Sequence, residues 1–209
     1  KSENPDNFSA LCSRILYLPF IKPVWDETRL KTIGFHRDNQ RIDLSRIGFL
    51  IEECLNTRAK RLDLGNCGLT DLSIIPELFE CTHLEELILS NEWAVYRNET
   101  WERETSNNKG KPNNISFIPE SISQLSELRT LICGGDWNVF KDKKWNRWGI
   151  STLTPITRLK KLKHLNISNN QLTSLIGLNK LTSLQFAHLN NNEISRVEPL
   201  TNLPNLKEL

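Results

Sequence analysis

The sequence predicts an α/β solenoid, in which short parallel strands stack into one sheet and the return segments form the opposite side. Three observations carry this. Two successive lines, LKHLNISNNQLTSLIGLNKLTS from Leu162 and LQFAHLNNNEISRVEPLTNLPN from Leu184, have equal length, and Leu206 opens a third at the same 22-residue interval. In both lines apolar residues fall at positions 1, 4, 6, 11, 14, 17 and 20, with asparagine at position 9. The same opening pattern recurs from Ala59, Leu84 and Leu128 at longer intervals.

Each position has a physical reason. Leu165 and Ile167 are two apart, so they point to one face of a short strand while their neighbours point to the other. Asn170 turns the chain, because its amide can bond backbone groups that the bend leaves unpaired. Leu172, Leu175, Leu178 and Leu181 bring the chain back while still facing inward. One unit cannot bury such a face alone, so units must stack on each other. The pattern is that of a leucine-rich repeat, with the parallel sheet on the concave side.

Taken in order, residues 1–44 form an N-terminal extension with a compact apolar run, LCSRILYLPF, followed by Pro23 and Trp25. From Ser45 the period changes: Ile47, Leu50, Ile51, Cys54 and Leu55 fall at helical spacing, and Ser45 is placed to cap the first turn. This helix, 45–58, is expected to close the open end of the repeat core. Residues 59–209 then hold five full repeats and the start of a sixth. A solenoid ending in mid-strand would expose its core, so the chain is expected to be a fragment of a longer protein.

The second and third repeats are lengthened by insertions at 92–113 and 136–149, both entering directly after the strand. They are expected to emerge side by side on one rim. The first, EWAVYRNETWERET, reads as two strands around Arg97-Asn98-Glu99 and ends in a polar return loop, NNKGKPNN. The second, DWNVFKDKKWNRWG, repeats the order aromatic, charged turn, aromatic. Trp93, Tyr96, Trp101, Trp137, Trp145 and Trp148 lie in these insertions, and either stiffen them by mutual packing or serve as anchors for a partner.

The second candidate surface is the concave face. Its outward positions carry Arg61 and Asp63, Glu86 and Ile88, Thr130 and Ile132, His164 and Asn166, then Phe186 and His188. Ile88, Ile132 and Phe186 are apolar where water favours polar residues, which marks a contact patch. His164 and His188 fall on adjacent strands, but no third ligand stands beside them, so no metal is expected.

Composition narrows the function. The formal charge of +2 does not call for nucleic acid or a membrane surface. Lys141, Lys143, Lys144 and Arg147 beside Trp145 and Trp148 could bind a single strand, but Asp136 and Asp142 dilute that segment, and no nucleic-acid partner is expected. No apolar run approaches the length of a membrane span, and no charged-then-apolar leader opens the chain. Five cysteines, with Cys67 and Cys133 at inward positions, and four N-x-S/T sequons that read as chance fit a reducing, cytoplasmic compartment. No nucleophile motif appears, and a solenoid offers a broad surface rather than an enclosed pocket, so neither catalysis, a cofactor nor a small-molecule substrate is expected.

The stretch IEECLNTRAKRLDLGNCGLTDL, Ile51 to Leu72, resembles the helix-then-first-repeat entry of bacterial Roco-family proteins. The regular repeats also resemble those of internalin-like and phosphatase-regulator proteins. The Roco resemblance implies a regulatory, protein-binding arm of a signalling GTPase, acting on a protein partner or on another domain of the same chain. The chain itself contains no G-x-x-x-x-G-K-[ST] loop, since Gly110-Lys111 is followed by Pro112. The alternative is a standalone binding protein or effector.

Overall fold

The computed structural model describes residues 44–97, 100–136, 140–141, 144–145 and 147–209. The N-terminal extension, the turn at Asn98-Glu99 and Trp137 lie outside the described residues.

Helix α1, Leu44–Thr57, buries Ile47, Ile51 and Cys54, the one-sided spacing that its sequence carries. The helix includes Leu44, so Ser45 sits inside its first turn and not before it. It ends on Arg58 in the left-handed region (φ 53°), which lets Ala59 N–H reach back to the Cys54 carbonyl at 3.2 Å.

Five three-residue strands follow, one per repeat: β1 Arg61–Asp63, β2 Glu86–Ile88, β5 Thr130–Ile132, β8 His164–Asn166 and β9 Phe186–His188. They pair in parallel in the order β1-β2-β5-β8-β9, and Phe186 bridges onward to Glu208. The register matches like positions of successive repeats, for example Leu62 with Leu87, Leu87 with Leu131 and Leu131 with Leu165. Slipping it by one residue would turn the inward leucines out to water.

The interior is one continuous column from Ile47 to Leu203. Strand residues such as Leu87 and Leu131 fill one wall, and the short 3₁₀ returns, such as Pro76–Glu80 and Thr154–Arg158, fill the other. Each fully buried leucine contributes roughly 1.5–3 kcal/mol, less the entropy of ordering it.

Two hairpins interrupt the regular course. Strands β3 (Glu92–Arg97) and β4 (Thr100–Thr105) pair antiparallel, with Tyr96 opposite Trp101. Strands β6 (Phe140–Lys141) and β7 (Lys144–Trp145) do the same, with Phe140 opposite Trp145.

Candidate functional site

Behind the sheet runs a column of asparagine side chains that fixes the turns of the second, fourth and fifth repeats. Asn113, Asn170 and Asn192 each stand two residues before an inward aliphatic residue, at position 9. Asn113 donates to the carbonyls of Leu64 and Leu89 at 2.8 and 2.7 Å, while its Oδ1 accepts from Cys67 and Leu69 N–H. Asn192 bonds Ile167 and Leu189 carbonyls in the same way and accepts from Leu172 N–H. Each amide thus ties its own strand exit to that of the preceding repeat. The residue before position 9 adopts the left-handed conformation in regular turns, at Asn66 ahead of Cys67 and at Asn169 and Asn191; asparagine tolerates that region better than most residues.

The insertions alter this column, and their ends differ from the sequence reading. Asn113 takes position 9 of the second repeat, and Asn114 N–H bonds the Leu69 carbonyl as a regular next residue does. In the third repeat Trp148 takes that place, with Gly149 N–H bonding Ile115 O. The insertions therefore close by Pro112 and Arg147. Trp148 is not a rim anchor: at 1 % exposure it belongs to the repeat core. An indole cannot offer the two donors and one acceptor of an asparagine amide, and the Trp148 Nε1–H is left without a partner.

The polar return loop of the first insertion packs against the first repeat through Ser106, Asn108 and Asn113. Asp63 accepts bonds from Gly65 N–H, Ser106 Oγ and Asn107 N–H. Asn108 reaches the Asp63 and Gly65 carbonyls and accepts from Arg46 of α1. Gly110 passes so close that a Cβ there would stand 2.4 Å from the Asn66 carbonyl oxygen. At the roots of the two insertions Asn91 donates to Asp136 at 2.6 Å. Ser90 donates to Gly134 O, and an ion pair joins Arg103 to Glu92.

On the outward sheet face the predicted residues divide. Glu86 is half-exposed and pairs with Arg61 at 3.4 Å. Thr130 and Ile132 are half-exposed. Ile88 is fully buried, although it lies outside the contiguous repeat core, so it offers nothing to a partner. It sits at mid-sheet between Asp63 and Ile132, at the root of the first hairpin. Asn166 is also nearly buried, its Oδ1 turned onto Ser168 N–H and Oγ. The remaining three residues form a cluster. His164 stacks on Phe186 with ring centroids 4.6 Å apart and planes 16° from parallel. Burial first, and then His188, holds the His164 imidazole below its usual range, with Lys163 and Lys207 adding to the effect. His188 is lowered by burial and partly restored by Glu208.

Of the rim aromatics, Trp93 is buried at 4 % exposure. Tyr96, Trp101 and Trp145 have their backbones in the hairpins, and their side chains lie outside what is described. Among the described residues no group of three or more His, Cys, Asp or Glu is placed to hold a metal. No described helix is long and apolar enough to cross a membrane.

The position-9 role of Asn113 was legible in principle, from the motif Asn-x-Ile ahead of Ile115. Nothing in the local sequence identifies Asp63, Asn91 or Trp148 as structural centres, because Asp63 and Asn91 also bond residues more than 20 positions away and Trp148 is buried by neighbouring repeats.

Repeating strands, inward aliphatic pairs, asparagine turns and 3₁₀ returns define the chain as a leucine-rich-repeat protein with an α/β solenoid fold. No known family profile matches it, and no curated protein matches it in sequence. Solved structures similar to it include an internalin from Listeria monocytogenes, 21% identical over 64% of this chain and 36% of that one, with a TM-score of 0.40. A leucine-rich-repeat protein from Leptospira interrogans is 24% identical over 72% of this chain and 36% of its own, with a TM-score of 0.43. The ectodomain of the Arabidopsis receptor kinase HAESA, solved with a peptide hormone ligand, is 19% identical over 75% and 22%, with a TM-score of 0.46. The chain spans only about a third of the first two proteins and less of the third. The fold assignment stands on the repeats of this chain itself.

Proposed function

We propose that this chain is a non-catalytic protein-interaction module whose sheet face, around His164, Phe186 and His188, receives a protein partner. The observation that carries this reading is the stacked His164–Phe186 pair, an aromatic surface on a hydrogen-bonded sheet where solvent alone favours small polar residues. Thr130 and Ile132 continue the surface on the neighbouring strand. A parallel sheet on a continuous core is preorganised, so binding orders few new degrees of freedom. Helix α1, with Ile47, Ile51 and Cys54 in the core, acts as the N-terminal cap of the solenoid. The rim hairpins narrow the choice of partner.

In the finer reading the module is the regulatory arm of a Roco-like, GTPase-bearing signalling protein of bacterial type, and works in the cytoplasm. The resemblance of Ile51 to Leu72 supports the first part, and the four described cysteines, all free thiols, suit the second.

The test is cross-linking of the full chain to captured proteins through its lysines, with mass-spectrometric mapping. Lys163 and Lys207 flank the aromatic face, whereas Lys180 lies on a 3₁₀ return. Cross-links should concentrate on Lys163 and Lys207 and vanish in the double variant His164→Ala, Phe186→Ala, compared at a temperature where circular dichroism shows that variant fully folded. Cross-links centred on Lys180, indifferent to the double variant, would remove the sheet face from the proposal.

A further inference from the structure

Where α1 meets the first repeat, three reactive side chains converge in the core, and the sheet face makes no use of them. Cys54 lies in the last turns of α1, and Cys81 ends the 3₁₀ return Pro76–Glu80, against which the helix packs. Both are free thiols, exposed by 2 % and 0 %. The Cys54 and Cys81 side chains stand close enough to act on each other's ionisation. His83, two residues on and also buried, places Nε2 at 3.8 Å from Cys54 Sγ and 3.1 Å from the Cys54 carbonyl oxygen. Two cysteines from separate elements thus meet beside an imidazole; of the other described core cysteines, Cys67 sits at the turn of the first repeat with its thiol on the Gly65 carbonyl, and Cys133 stands in the third repeat.

We infer that Cys54 and Cys81 are a dithiol pair that a small-molecule disulfide converts to a cross-link, locking α1 onto the first repeat. The geometry sets the order of events. In the closed core Cys81, and then His83, lower the Cys54 thiol, and Cys54 in turn raises that of Cys81. Cys54, carried on the helix that lifts while Cys81 stays on the first repeat, is the thiol that meets the oxidant first, and its thiolate attacks. Because both sulfurs are covered, the attack takes place when α1 lifts from the core, a local opening of that helix. Cys54 Sγ attacks one sulfur of oxidised glutathione, and one glutathione leaves as thiolate. Cys81 Sγ then attacks Cys54 Sγ of the mixed disulfide, its proton passing to the second departing glutathione. Two protein thiols are oxidised, and one glutathione disulfide is reduced to two thiols. Once closed, the bond opposes the lifting that admitted the oxidant.

The experiment incubates the full chain in glutathione buffers from reducing to oxidising, traps free thiols, and maps disulfides by mass spectrometry. The expected product is a Cys54–Cys81 cross-linked peptide, with Cys67 and Cys133 still alkylated after unfolding. Amide exchange over Ile47 to Thr57 should slow by about tenfold in the oxidised form. Cys81→Ala should halt the reaction at a glutathione adduct on Cys54. A chain whose Cys54 and Cys81 both remain alkylatable in oxidising buffer overturns the inference, as does a bond from either of them to another cysteine. The wild-type measurement decides this even if the variant does not fold.

Discussion

Asn91 Nδ2 lies 2.6 Å from Asp136 Oδ1, and this one hydrogen bond joins the roots of the two insertions. The Asn91 amide also donates to the Asn113 carbonyl, and its Oδ1 accepts from Asn66 and Asn113 N–H. One side chain thereby serves the first, second and third repeats.

Burial pushes the Asp136 carboxyl above its usual 3.8, against the pull of Asn91 and then Arg103. The folded protein therefore holds this proton more tightly than the unfolded chain does. Its contribution favours the fold below about pH 4 and is lost as the pH rises through the raised folded value. Asp136→Asn stays neutral throughout, so its urea midpoint should gain on that of the wild type between about pH 3.5 and pH 7. A gap that does not change with pH would refute the burial argument.

Asn170 is fully buried, donating to the carbonyls of Cys133, Ile167 and Ser168 and accepting from Ile150 N–H. Asn170→Ala should destabilise by about 3 kcal/mol, because several backbone groups lose their partner out of reach of water. Asn192→Ala should cost less, since Asn192 is only partly buried. Denaturant titration of both variants checks the order.

Trp148→Asn would restore the regular residue of the position-9 column, yet it should destabilise by roughly 3–5 kcal/mol. The core around the indole has grown to fit the ring, and a smaller side chain leaves a cavity. A variant as stable as the wild type would mean that the column tolerates either residue.

Asp63→Ala removes the acceptor for Gly65 N–H, Ser106 Oγ and Asn107 N–H. The first insertion should loosen from the repeat below it: amide exchange at Gly65 and Asn107 rises by about tenfold or more, while Leu87 and Leu131 keep their protection. Equal acceleration across the sheet would show that Asp63 supports the whole fold.

Burial, followed by His188 and the two lysines, holds His164 below 6.5. The folded state gives up this proton more readily than the unfolded chain. The neutral ring therefore contributes stability above pH 6.5, and that contribution is lost as the pH falls through the lowered folded value. In His188→Ala the His164 titration, followed by NMR, should move up toward 6.5 without reaching it, since the larger cause, burial, remains. An unchanged titration would separate the two imidazoles.

Much of this architecture was legible because it is periodic. Residues two apart on a strand share a face in any chain, so Leu165 and Ile167 declared an inward wall, and Asn170 declared a turn, without knowledge of their neighbours. The same reasoning placed His164 and His188 on adjacent strands, while the stacking of His164 on Phe186 came from the structure. It failed at Ile88, buried where alternation had placed it outward, and at Trp148, grouped with the rim because its neighbours in sequence are aromatic and charged.

The sequence by itself determined the repeat, its inward residues, the strand positions and the two points where insertions leave the sheet, since these follow from local spacing and from the need to bury a one-sided face. Only the tertiary structure decided that the first return loop folds down onto Asp63, that Asn113 and Trp148 continue a column broken in sequence, and that Cys54, Cys81 and His83 share one pocket of the core. Those partners lie tens of residues apart, and contacts over such separations are set by how stacked repeats and insertions close on each other, which no local period encodes.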